Sequence, residues 1–95
     1  MLTSKERAKL RGIASTYETI FQVGKGGIGD HLIGQVKDAL RKRGLIKLRV
    51  LENSMYDARE AAQILAEATE SEVVQVIGSR FVLYKRNPKD PVIDL

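Results

Sequence analysis

Four glycines in six positions, Gly24, Gly26, Gly27 and Gly29, break the chain between an apolar, strand-like run and an amphipathic, helix-like one. Main chain this rich in glycine can take φ > 0 and lie flat against a ligand. The helix beginning just beyond turns its unpaired N–H groups and the positive end of its dipole back toward the loop. That arrangement suits a phosphate, and Lys25 adds a full positive charge among the glycines. The phosphate belongs either to a nucleotide cofactor or to a nucleic-acid backbone.

The flanks fix the fold class. Thr19-Ile20-Phe21-Gln22-Val23 is rich in β-branched and aromatic residues and reads as the first strand. A helix is predicted from Asp30, a natural cap, to about Arg43, with Leu32, Ile33, Val36, Ala39 and Leu40 as its apolar stripe. Gly44 suits the left-handed position that ends it, and Arg41, Lys42 and Arg43 complement the C-terminal dipole. Leu45 to Leu51 is predicted as a second strand, with Ile46, Leu48 and Val50 buried and Lys47 and Arg49 on a basic, wet face. Strand, helix and strand make a βαβ unit, so these two strands should be parallel.

Upstream, Thr3-Ser4-Lys5-Glu6 reads as a capping box that opens a helix running to about Ala14 or Ser15, buried along Leu10, Ile13 and Ala14. Downstream, a third helix should begin near Ser54, capped by Ser54 with Asp57 or by Asp57 with Glu60. Its stripe is Ala58, Ala61, Ala62, Leu65 and Ala68. Glu72–Gly78 and Arg80–Arg86 read as a hairpin through Gly78-Ser79, with Val74 and Val76 on one face opposite Phe81 and Leu83. The predicted order is α-β-α-β-α-β-β, an α/β chain of the α+β type with a four-stranded mixed sheet. Residues 1–86 form one domain in this reading. Residues 87–95, which include Pro88 and Pro91, are predicted as an extended tail. Gly34 falls on the exposed side of the second helix, at a cost of up to ~1 kcal/mol relative to Ala.

Composition narrows the function classes. Ninety-five residues hold a single core. The absence of cysteine excludes disulfides, thiolate metal sites and a cysteine nucleophile. His31 is the only histidine, and the acidic residues show neither metal-ligand spacing nor a catalytic pair. Neither a signal peptide nor an apolar run of about 20 residues is visible, so a cytoplasmic protein without membrane contact is expected. A monomer without a cofactor is the further expectation. Residues 1–52 carry eleven Lys/Arg against five Asp/Glu, whereas residues 53–95 carry five against seven. A basic first half and an acidic second half suggest that one side meets a polyanion. Lys5 and Lys9 flank the first helix's stripe on one side and Arg7 and Arg11 on the other, which makes them candidate contacts. Among the aromatics only Tyr84 is expected on a sheet face, a poor platform for stacked bases.

Gly24-Lys25-Gly26-Gly27-Ile28-Gly29 is a literal G-x-G-x-x-G, and Glu52 falls near the place of an acidic ribose ligand. A small nucleotide-binding domain is therefore the alternative reading. It is short of strands, because a dinucleotide fold needs a second parallel half. The Walker pattern fails as well, since Asp30-His31 follows Gly29. The shorter parse, Gly24-Lys25-Gly26-Gly27, is a G-x-x-G loop with a cation inside, the form that lets nucleic-acid backbone approach main-chain N–H groups.

Leu2-Thr3-x-x-x-Arg7-x-x-Leu10-x-x-x-Ala14 resembles the opening of the CRM domain, named for chloroplast RNA splicing and ribosome maturation. The resemblance extends to the Gly24-x-x-Gly27 junction, Leu45-Ile46-Lys47-Leu48, Val74-Gln75-Val76-Ile77-Gly78 and Val82-Leu83-Tyr84. Covering residues 2 to about 86, it is nearest to the stand-alone bacterial YhbY type. It implies a fold similar to the C-terminal domain of bacterial translation initiation factor three. It also implies RNA binding through the G-x-x-G loop, at Gly24, Lys25, Gly26 and Gly27, and through nearby basic surface, and association with precursors of the large ribosomal subunit. The absence of an assembled catalytic group points to a non-catalytic protein. Gly29 and Gly34 depart from the family pattern.

Overall fold

The computed structural model describes residues 2–86; the predicted tail at 87–95 lies outside them. Three helices and four strands follow the predicted order: α1 (Ser4–Ala14), β1 (Phe21–Val23), α2 (Asp30–Arg43), β2 (Leu45–Val50), α3 (Ala58–Thr69), β3 (Glu72–Ile77) and β4 (Arg80–Tyr84). They form one four-stranded sheet in the order β1-β2-β4-β3. β1 and β2 are parallel, as a helical crossover between them requires, and β4 pairs antiparallel with both β2 and β3.

The sheet is covered unequally. On one face Ile46, Leu48, Val50, Phe81 and Leu83 pack with Val36 and Leu40 of α2 and with Ala58, Ala61, Ala62 and Leu65 of α3. The alanine stripe lets α3 lie close to the strands. On the other face α1 covers Leu45, Val74, Val82 and Tyr84 through Leu10 and Ala14, with Leu2 and Tyr17 packed at its two ends. Tyr84 is therefore beneath a helix, only 5% exposed, and burial pushes its phenol up from the usual range. A sheet-face tyrosine open to a base does not exist at this position.

Local chemistry sets the helix ends. Thr3 and Glu6 close the expected capping box, the Glu6 main-chain N–H donating to the Thr3 hydroxyl at 3.1 Å and the Thr3 N–H to the carboxylate at 3.0 Å. Those bonds hold the Glu6 carboxyl below its ordinary value. Asp57 and Glu60 form a second box, and α3 starts at Ala58 rather than near Ser54. Ser54 is unavailable because its hydroxyl accepts the Tyr56 N–H at 3.0 Å in a local turn. Gly44 ends α2 at φ +76°. The N-cap of α2 is Gly29, and Asp30, expected as the cap, is the first helical residue. Gly34 has open space where a Cβ would sit. Gly34→Ala should raise stability by up to ~1 kcal/mol, read as a higher urea midpoint with unchanged slope.

Two sequence expectations fail at the sheet edges. β1 is shorter than Thr19–Val23: the ladder register covers Phe21, Gln22 and Val23 against Leu48, Arg49 and Val50, and Ile20 adds a single bond, its N–H donating to the Lys47 carbonyl at 3.0 Å. Val74 and Val76 do not share a face. The β3–β4 register slips between Val73 and Gln75, a bulge that turns Val74 toward α1 while Val76 packs against the core under α3. Arg7 holds this irregularity, its guanidinium donating to the carbonyls of Val73 and of Val74, the latter at 3.3 Å. The contact also covers part of the β3 edge. Arg7→Ala leaves these carbonyls without their charged donor and should cost about 1–3 kcal/mol in urea unfolding. An unchanged midpoint would show that the bulge stands without Arg7.

Candidate functional site

Three turns meet at one end of the sheet. β1 leads from Val23 into the glycine loop, and Val23 pairs with Val50 at the end of β2. The Leu51 N–H donates to the Val23 carbonyl at 2.8 Å, which fixes the β2–α3 connection against the loop. The Val50 N–H donates to the Ser79 carbonyl at 2.7 Å, which brings in the β3–β4 turn. This is the carboxyl end of the two parallel strands, where α/β sheets present ligand crevices.

The loop is a tight turn closed by the Gly27 N–H donating to the Gly24 carbonyl at 3.0 Å. Gly27 holds φ +73°, which a side chain would strain. A Cβ on Gly24 would stand 3.3 Å from Leu51 Cδ1 and 3.5 Å from Asn53 Oδ1, so this glycine allows the close approach of the two connections. Gly26, Gly27 and Gly29 face open space, and Lys25 and Gly26 are exposed. No side chain caps Gly29's helix, so the first N–H groups of α2 are left for solvent or a ligand. Asp30 and His31 are exposed on its first turn. The result is an exposed, side-chain-poor turn with one cation on it and an uncapped helix N-terminus behind it, a form that suits phosphate oxygens. Among the described residues no group of three or more His, Asp or Glu could hold a metal.

The α1 cations lie elsewhere. α1 is on the other face of the sheet from α2, and its start is tied to the opposite end by the Leu2 N–H donating to Glu72 at 2.8 Å. Glu72 pairs with Tyr84, far along the strands from Val23 and Val50. Lys5, Lys9 and Arg11 are exposed on that helix, and Arg7 is half-buried on its β3 carbonyls. The structure gathers Gly24, Lys25, Gly26 and Gly27 at one point and does not bring Lys5, Arg7, Lys9 and Arg11 to it. The Arg41–Arg43 triplet is also remote, at the end of α2 away from the loop. There Arg41 pairs with Asp38 at 2.6 Å, both of them exposed.

The nucleotide alternative loses its framework. Beyond β2 the next strand in the sheet is β4, antiparallel, so β1 and β2 are the only parallel pair among the described residues. Glu52 is exposed in the connection after β2. Among the described residues no helix is long and apolar enough to cross a membrane.

Comparison with known proteins gives a consistent grouping. The family model of the CRS1 / YhbY (CRM) domain matches residues 2–85. A protein of Bacillus subtilis named "Probable RNA-binding protein YqeI" is 43% identical over 95 residues, which cover 100% of this chain and 99% of that one. One of Methanocaldococcus jannaschii, named "Probable RNA-binding protein MJ0652", is 37% identical over 86 residues, 88% of this chain and 63% of that one. The solution structure of the hypothetical protein SAV1595 from Staphylococcus aureus superposes with a TM-score of 0.82 at 47% identity, covering 100% of this chain and 99% of that one. With fold, loop and sequence in agreement over nearly its whole length, the chain belongs to the CRS1 / YhbY (CRM) domain family.

Proposed function

We propose that this chain is a non-catalytic RNA-binding protein that seats RNA backbone phosphates in the Gly24–Gly27 loop and assists assembly of the large ribosomal subunit through ribosomal RNA. It acts in this reading as a cytoplasmic monomer, one domain over residues 1–86, without a cofactor. The observation that carries the reading is the loop itself: a glycine turn with Lys25, Gly26 and Gly29 exposed, and a helix N-terminus with no side-chain cap behind it. The relatives' names support RNA as the polyanion, and the resemblance to the CRM domain supports the ribosomal setting. Lys5, Lys9 and Arg11 offer a separate basic strip, suited to a distant part of a large RNA.

Fluorescence anisotropy with a single-stranded ribosomal RNA fragment at several salt concentrations tests the reading. Affinity should fall linearly in log–log form as salt displaces phosphate contacts. Titration with ATP or NAD in a thermal melt should leave the midpoint where it was, because a real ligand of the folded state must raise it. Salt-insensitive or absent RNA binding together with a nucleotide-dependent rise would reverse the assignment.

A further inference from the structure

The loop has two neighbours of opposite sign. On the α3 side, Glu52, Asp57 and Glu60 border a shallow cavity with Met55, which is 73% exposed. On the sheet side, Gln22, Arg49 and Arg80 form one row across β1, β2 and β4, as the registers Gln22↔Arg49 and Arg49↔Arg80 require. Their neighbours Val23, Leu48, Val50 and Phe81 are buried under α2 and α3, so the row faces the other way. α1 covers the far half of that face, over Leu45, Val82 and Tyr84, and the connection at residues 17–19 borders the near half in an open groove shared with Lys47 and Arg80. Arg49 is half-buried and Arg80 exposed.

Directly opposed residues of an antiparallel pair hold their Cβ atoms about 4.5–5.5 Å apart, and like charges placed so destabilise the sheet. Among the described residues neither Arg49 nor Arg80 has an acidic partner within ion-pair distance. Lys47 adds a third cation on the same face, steadied by donating to the Tyr17 carbonyl at 3.2 Å. The one carboxylate in the adjoining groove is Glu18, which lines it with Tyr17, Thr19, Lys47 and Arg80. Three cations against one acid, with two arginines directly opposed across the ladder, make a place where an added anion offsets a like-charge repulsion.

Resting on the RNA reading above, we infer that the strand seated in the Gly24–Gly27 loop continues across the near half of that face. It passes over Gln22 and sets its next phosphates on Arg49 and Arg80. Adjacent strands are about 4.8 Å apart, so the row spans roughly 10 Å from Gln22 to Arg80, within reach of one short stretch of backbone. The acidic α3 side repels the same strand, which gives the RNA a direction over the protein. The side chains that hold it are these sheet residues and not those at the start of α1.

The test is the double variant Arg49→Ala, Arg80→Ala in the full chain, compared with Lys25→Ala and with an equally charge-depleted control, Lys37→Ala, Lys42→Ala. The probe is a single-stranded ribosomal RNA fragment followed by anisotropy from low to high salt. The sheet variant should bind roughly tenfold or more weakly at low salt, with a salt slope reduced by about 1.4, the value for two lost contacts to a single strand. Its melting temperature should be no lower than that of the unaltered protein, since a like-charge pair has been removed. Unchanged affinity and slope in the sheet variant, with Lys25→Ala weakened, would overturn the path and leave the loop assignment standing. An equal loss in the α2 control would also overturn it, by showing that net charge alone is measured. Absence of RNA binding by the unaltered protein would instead remove the RNA reading itself.

Discussion

Phe81→Ala is expected to destabilise the domain by about 3–5 kcal/mol. Native domains hold only about 5–15 kcal/mol in total, so the variant should sit close to unfolding. Phe81 is 1% exposed and among the largest fully buried side chains. It lies on β4, the strand between β2 and β3, directly opposite Leu48 on one side and Val76 on the other. The helix above it is lined by Ala58, Ala61 and Ala62, whose methyl groups are too short to fill the void a missing ring leaves. Incomplete collapse keeps the cavity open and moves the cost toward the upper end of the range. Each kcal/mol should lower the melting midpoint by roughly 4–8 °C in a domain of this size. A midpoint within two or three degrees of the unaltered protein would contradict this view of the core.

How much of the fold was legible depends on how local its determinants are. The Thr3–Glu6 box, most of the helix stripes and the Gly44 and Gly78 turns were readable, because each involves residues a few positions apart, although in α3 Ala66 and Thr69 are buried where Ala68 was expected. The parallel pairing of β1 with β2 followed from the helix between them. Of the two caps the sequence offers for α3, Asp57 with its Glu60 partner prevails over Ser54, while Asp30, expected as the cap of α2, is its first helical residue behind Gly29. The Val74 bulge was invisible in the strict alternation of β3. Its counterpart is Arg7, more than sixty residues earlier, and local patterning cannot encode such a contact.

The same distinction divides the site. The Gly24–Gly27 turn announced itself in four consecutive residues and is a turn in the structure, with the positive φ at Gly27. Grouping it with the α1 cations rested on charge counts, which carry no information about which face of a sheet a helix covers. Arg80 drew no notice because its meaning lies in its register with Arg49, set by the insertion of β4 beside β2. The alternation Arg80, Val82, Tyr84 against Phe81, Leu83 was the available signal for its face.

The loop carries the second large effect. Lys25 is exposed, and the bond that closes its turn runs between the main chains of Gly24 and Gly27. Removing the side chain should therefore leave stability unchanged and isolate the phosphate contact. A hydrogen bond to a charged partner contributes about 1.5–3 kcal/mol, so Lys25→Ala should bind RNA roughly tenfold to a hundredfold more weakly. In the proposed reading the remaining loop amides and the sheet cations should keep binding measurable. The most direct measurement is the salt dependence of RNA affinity for the unaltered protein and Lys25→Ala side by side. A weaker Lys25→Ala with its slope lower by about 0.7, the share of one contact to a single strand, is the result predicted here. Isotherms that superpose at every salt concentration would contradict it.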